Sequence, residues 1–206
     1  RRRGFSVDCG LGYPVYRGWF PWELAAEVSA QIKADVVVAH SGAAVRFAQA
    51  LAGMDIRVVI YLHNVMIEEL GGDPRDLHGV SYIANSHFTA RRWKDLFDID
   101  SDVVYPLIRR ENYETETTRE NVTFINPHPL KGQEIALGVA ERCPEIPFVF
   151  VESWGLEEHD MERLRQRIAL LPNITLKPRT QNMKSIYGKA RIVLAPSQLD
   201  EAFGRV

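Results

Sequence analysis

Short apolar runs alternate with amphipathic stretches along nearly the whole chain, and this rhythm constrains the fold more than any single motif does. Strand-like runs lie at 5–8, 35–39, 57–62, 80–84, 102–105, 122–125, 148–151, 174–176 and 192–195. Between most of them, the stretches 22–33, 43–52, 86–97, 133–143, 157–171 and 181–190 carry apolar residues at three- and four-residue spacing, the pattern of a helix with one buried face. Strand alternating with helix predicts a doubly wound α/β fold with parallel sheets.

The alternation breaks once. Pro106-Leu107-Ile108-Arg109-Arg110-Glu111-Asn112-Tyr113 and the polar run from Glu114 to Glu120 carry neither stripe, and they read as a linker. The rhythm restarts at Val122-Thr123-Phe124-Ile125. The expectation is two Rossmann-like domains, residues 1–107 and 108–206, both incomplete. The first opens on Arg1-Arg2-Arg3-Gly4, read as a helix tail with its glycine cap, and it lacks the opening strand and glycine-rich turn of a complete Rossmann-like domain. The second stops inside a motif, so the chain is expected to be a piece of a longer protein.

With 206 residues, 46% of them hydrophobic, the chain can bury a sizeable core. Twenty-five Lys and Arg against 27 Asp and Glu leave a dispersed net charge of −2, which offers nothing to a nucleic-acid partner. Cys9 and Cys143 are the two cysteines; far apart and without a Cys-x-x-Cys spacing, they argue against a disulfide framework or a zinc site and fit a reducing, cytoplasmic setting. No apolar stretch approaches the roughly 20 residues of a membrane span.

Two strand-to-helix corners in the second half carry chemistry. Asn126-Pro127-His128-Pro129-Leu130-Lys131-Gly132 follows the strand at 122–125 and precedes the helix from Gln133. A lysine there stands beside the positive end of a helix, where backbone N–H groups and an ammonium together suit a diphosphate. A lone loop lysine is ordinarily a solvated charge; the second corner changes its weight. Arg191-Ile192-Val193-Leu194-Ala195 reads as a buried strand, and Pro196-Ser197-Gln198-Leu199-Asp200-Glu201-Ala202-Phe203-Gly204-Arg205-Val206 as its turn into a helix start. In parallel sheets ligands sit beyond the carboxyl ends of the strands, which is where Glu201, Phe203 and Gly204 fall. The strand ends in the first half carry His40, His63 and Ser86, the last a helix N-cap candidate. A lone strand-end histidine is more often structural than functional, and no spacing suggests a metal site.

The Pro-Ser-x-x-x-Glu-Ala-Phe-Gly-Arg-Val stretch closely resembles the donor-sugar signature of the family 4 retaining glycosyltransferases, and Lys131-Gly132 matches the end of that family's Gly-Arg-x-x-x-x-Lys-Gly segment. The resemblance implies the GT-B architecture of two Rossmann-like domains, 1–107 on the acceptor side and 108–206 binding a nucleotide-sugar donor. It implies that Lys131, with Gly132 and the helix start, neutralises the leaving nucleoside diphosphate, and that Glu201 meets the donor sugar. Phe203 and Gly204 then offer backbone N–H groups, and His63 faces the sugar or acceptor. Arg179, in the Lys177-Pro178-Arg179-Thr180 loop, corresponds to a donor-contacting segment; His40, Ser86, Asn126 and His128 are further candidates.

The chain departs from the family pattern in three places. Asn126 and Pro127 stand where the phosphate arginine belongs. Glu152-Ser153-Trp154-Gly155 replaces a Gly-x-Gly turn. The second glutamate of the family pair would fall past the last residue given, so this piece is expected to bind donor poorly and to be inactive alone. The implied activity is transfer of a sugar, with retention, from a nucleotide sugar to a sugar, lipid or small-molecule acceptor, with no metal or other cofactor and with peripheral membrane association open. Two alternatives share the scaffold. One is a nucleotide-sugar 2-epimerase, against which the Glu-Ala-Phe-Gly signature speaks. The other is a non-catalytic nucleotide-sugar-binding protein, which the missing arginine leaves open.

Overall fold

The computed structural model describes residues 5–204. The helix tail and cap expected at Arg1 to Gly4, and Arg205 and Val206 of the carboxyl-terminal motif, lie outside the described residues. The chain divides after Pro106 into two compact units, each with its own parallel sheet. Among the described residues no helix is long and apolar enough to cross a membrane.

The first unit begins with a hairpin. β1 (Ser6–Asp8) pairs antiparallel with β2 (Val15–Arg17), Val7 opposite Tyr16. The run at 5–8 is therefore not a strand of the parallel sheet, as the alternation had implied. Parallel pairing needs a crossover of a dozen or more residues, and the short segment between these strands is a turn containing Gly12 at φ 85°. After a single 3₁₀ turn at Pro21–Leu24 and the helix α1 (Ala25–Ile32), the parallel sheet is built from β3 (Val36–His40), β4 (Arg57–Leu62), β5 (Val80–Ala84) and β6 (Asp102–Val103), in that spatial order.

Two helices cover this sheet, α2 (Ala44–Ala50) and α3 (His87–Phe97). Ala44, Val45 and Ala48 of α2, Ile60 and Leu62 of β4 and Trp93 of α3 are all buried in one cluster. The Trp93 indole N–H donates to the carbonyl of Asn64 at 2.9 Å, so the largest side chain of the core leaves no polar group unpaired. Ser86 is the N-cap of α3, its hydroxyl accepting from the Thr89 N–H at 3.0 Å.

In the second unit the parallel strands are β7 (Asn121–Ile125), β8 (Phe148–Val151), β9 (Ile174–Lys177) and β10 (Ala190–Leu194). Their spatial order is β10-β7-β8-β9. The helices α4 (Gln133–Arg142) and α5 (Glu158–Ala169) fill the crossovers after β7 and β8. Phe124 and Phe150 meet edge to face at 5.1 Å among Leu137, Ala140 and Leu164, all buried.

Three expectations for this unit are corrected. The helix expected over 181–190 is one turn, α6 (Lys184–Tyr187), because Gly188 follows and the chain enters β10 two residues later. β10 itself is an edge strand, with Ile192 54% and Val193 39% exposed, so its apolar run does not mark burial on both faces. No helix begins in the described residues after β10; through Gly204 they run as irregular chain with bends at Leu199, Ala202 and Phe203. The polar run read as a linker is also tied down: the N–H groups of Thr118 and Glu120 donate to the carbonyls of Gly188 and Lys189, each at 2.8 Å, and the Thr117 hydroxyl donates to the Ala190 carbonyl at 2.6 Å.

Candidate functional site

β7 is the strand at which the order of strand addition in the second unit reverses, with β8 and β9 on one side and β10 on the other. Connections that leave such a pair of strands run to opposite faces, which opens a crevice at their carboxyl ends. The loop after β7 carries Lys131 and the loop after β10 carries Glu201.

These two loops are in contact. The Gln198 N–H donates to the Leu130 carbonyl at 3.2 Å. Gly132, the N-cap of α4 at φ 84°, packs so tightly that a Cβ on it would overlap the Pro196 carbonyl. Across this junction the Lys131 ammonium donates to Glu201 Oε1 in an ion pair. Burial opposes ionisation of Glu201, but the hydrogen bond and charge of Lys131, with the nearby Ser197 hydroxyl, outweigh it and hold the carboxyl below its ordinary value. Ser197 Oγ itself is buried and makes no hydrogen bond of ordinary geometry.

Lys131 Nζ also lies 4.6 Å from the centre of the Trp154 ring, a cation–π contact. The His128 ring meets the same indole edge to face at 5.3 Å, while His128 Nδ1 accepts from the Leu130 N–H at 3.2 Å. Asn126 ties the arrangement together. At φ 65° it occupies the left-handed region that asparagine tolerates better than other side chains. Its N–H donates to the Val151 carbonyl at 2.8 Å and its Oδ1 accepts from the Trp154 N–H at 3.1 Å. The residue standing in place of an expected arginine therefore joins the ends of β7 and β8.

Asn126, Lys131, Trp154, Glu201, Phe203 and Gly204 line a recess of about 390 Å³. Gly132, packed on Pro196, and His128, packed on Trp154, are not among its lining residues. Arg179 does not join them: it is exposed in the loop after β9, the sheet's far edge. Tyr113 and Tyr187 also line the recess and were not anticipated. One sits in the polar segment and the other in a one-turn helix, where no periodicity marks a ligand-facing side chain. Trp154 was noticeable in the sequence only as an intrusion into a glycine turn.

In the first unit His40, His63 and Ser86 come from the carboxyl ends of the adjacent strands β3, β4 and β5. The His40 and His63 ring centres are 5.2 Å apart and Tyr61 lies 3.9 Å from His63. Burial first, and then the His40 charge, push the His63 pKa below its ordinary value, so this imidazole favours its neutral form. The Asn85 amide donates to the His63 carbonyl at 2.7 Å and fixes the backbone there. Among the described residues no group of three or more His, Cys, Asp or Glu side chains is placed to hold a metal ion.

No protein-family model matches the chain, and no curated protein matches it by sequence. Solved structures do match it in three dimensions. TarM aligns over 94% of this chain and 45% of its own, with a TM-score of 0.66 at 11% identity. AviGT4, a glycosyltransferase involved in avilamycin A biosynthesis, aligns over 84% of this chain and 50% of its own, with a TM-score of 0.55 at 15% identity. The fold is that of the GT-B glycosyltransferases. MnaA of S. aureus, in a structure with UDP, aligns over 86% of this chain and 57% of its own, with a TM-score of 0.53 at 12% identity. The chain thus spans about half the length of these structures, and at such identities the likeness carries the fold alone.

Proposed function

We propose that the protein to which this chain belongs is a retaining glycosyltransferase of the family 4 type, moving a sugar from a nucleotide-sugar donor to an acceptor, and that residues 108–206 form its donor-binding domain. The observation that carries this reading is the meeting of Lys131 and Glu201, 70 residues apart in sequence, at the switch point of a parallel sheet. Structures of similar fold add support: a variant of S. aureus TarM is described in complex with UDP, alpha-GlcNAc-glycerol and Fondaparinux, and MnaA with UDP.

In this reading Lys131 neutralises charge on the diphosphate as the glycosidic bond lengthens. The start of α4, with its dipole and free N–H groups, lies alongside. Glu201 accepts hydrogen bonds from donor-sugar hydroxyls and places negative charge beside a developing oxocarbenium ion. Most of the rate comes from positioning and leaving-group stabilisation. His63 belongs to the sugar or acceptor side, in its neutral form.

The test is calorimetric titration of nucleoside diphosphates and nucleotide sugars against the whole protein, followed by assignment of the product anomer by NMR. One nucleotide is expected to bind selectively, and Lys131→Ala to weaken it about 10- to 100-fold, the effect of losing a hydrogen bond to a charged group. Absence of binding, or an unchanged Lys131→Ala variant, removes the donor site. Binding without transfer or hydrolysis points to the non-catalytic reading, and an inverted product removes the family 4 mechanism.

A further inference from the structure

Phosphate neutralisation and the Glu201 carboxylate leave one conspicuous part of the recess without a task. Trp154 follows β8 and its backbone is fixed by the hydrogen bond from its N–H to Asn126 Oδ1 at 3.1 Å. Its ring is held by Lys131 at 4.6 Å and by the edge of His128 at 5.3 Å. Yet the residue is 48% exposed and lines the recess. An indole so constrained and so wet is a preformed apolar surface, and preorganisation of this kind lowers the cost of binding.

The chemistry around the ring selects what can cover it. The face of an indole carries partial negative charge, so it gains nothing from a phosphate group. A pyranose is different. It presents a patch of C–H bonds on one face, which pack on an aromatic ring, and hydroxyls around its rim, which need hydrogen-bonding partners. The partners are in place: the Lys131 ammonium touches both the ring and the Glu201 carboxylate, so platform, donor and acceptor stand within reach of a single sugar ring. Ser153, beside Trp154, lines the same recess. A nucleobase also stacks on aromatic rings, but the charged Lys131–Glu201 pair beside this one matches the sugar-diphosphate end of a donor.

We propose that Trp154 is the platform on which the hexopyranosyl group of the donor stacks, making it the residue by which the site prefers a nucleotide hexose to the bare nucleoside diphosphate. The inference rests on the donor-site reading for the location of the diphosphate.

It is tested by calorimetric titration of UDP, UDP-glucose, UDP-N-acetylglucosamine, GDP and GDP-mannose against the whole wild-type protein and its Trp154→Ala and Trp154→Phe variants, with circular dichroism confirming that each variant folds. The expected result is tighter binding of one nucleotide hexose than of its matching diphosphate. Trp154→Ala should erase that preference by weakening the nucleotide hexose about tenfold while the diphosphate is unchanged, and Trp154→Phe should retain most of it. Equal losses for diphosphate and nucleotide hexose would mean that the ring serves the base, the phosphates or Lys131, and would overturn the proposal; so would no loss at all. If no nucleotide binds the whole wild-type protein, the donor-site reading fails by itself, and saturation-transfer NMR with methyl α-glucoside and methyl α-N-acetylglucosaminide decides. Transfer to the ring C–H protons that disappears in Trp154→Ala sustains the platform, and its absence in the whole wild-type protein ends it.

Discussion

Gly132 carries the tightest constraint of any residue in the candidate site, because it combines φ 84° with a backbone carbonyl, that of Pro196, where a Cβ would go. Gly132→Ala is therefore expected to separate the loops after β7 and β10, lowering stability by about 1–3 kcal/mol or more and weakening nucleotide binding, as read by urea denaturation and calorimetry. Glu201 supplies a pH dependence. Its folded carboxyl titrates below the ordinary value of 4.5, so the unfolded chain binds more protons between the two values. Its contribution is complete above about pH 4.5 and is lost as the pH falls through the lowered value; urea midpoints of Glu201→Gln should lack that part of the acid slope. Lys131 and Glu201 drew attention in the sequence because each follows a strand-like run and stands in a stretch resembling a family motif. The work of Asn126 was not, since a left-handed backbone and a hydrogen bond to Trp154 leave no trace in periodicity.

At the level of elements, the parallel strands were legible where runs such as Val36-Val37-Val38 and Phe148-Val149-Phe150 are apolar and are followed by helical spacing. The β1–β2 hairpin was not, because β2 is three residues long and too short to show a period. Composition misled at β10, whose apolar side chains are exposed at a sheet edge. It misled again at the segment before β7, whose polar residues conceal a strap that satisfies the carbonyls of Gly188, Lys189 and Ala190. This strap gives a prediction of its own. The amides of Thr118 and Glu120 should show slow hydrogen exchange, unlike those of a free linker, and Thr117→Val should cost about 1 kcal/mol and speed exchange at both. The Glu120–Lys189 ion pair at 3.3 Å joins two exposed side chains and adds little.

For the molecule as a whole, alternation of strand and helix dictates parallel sheets but leaves their order open, and the order decides where a ligand can bind. Nothing in the residues of β10 announces that it pairs with β7 rather than with β9, its predecessor in sequence. That choice is made by packing: Leu194 joins the cluster built on Phe124, Phe150 and Leu137. The two hydrophobic clusters draw on separate stretches of chain, so each unit owns a core and its sheet can be reasoned about by itself. The β10-β7 pairing also imposes a timetable. During synthesis at about 5–20 residues per second, the 70 residues between Lys131 and Glu201 take roughly 4–14 s to emerge. Over that interval β8 and β9 can already be in place while the other side of β7 has no neighbour. A nascent chain released within that window would hold a lysine and a tryptophan with no carboxylate beside them, so the recess is complete only once Glu201 has been added.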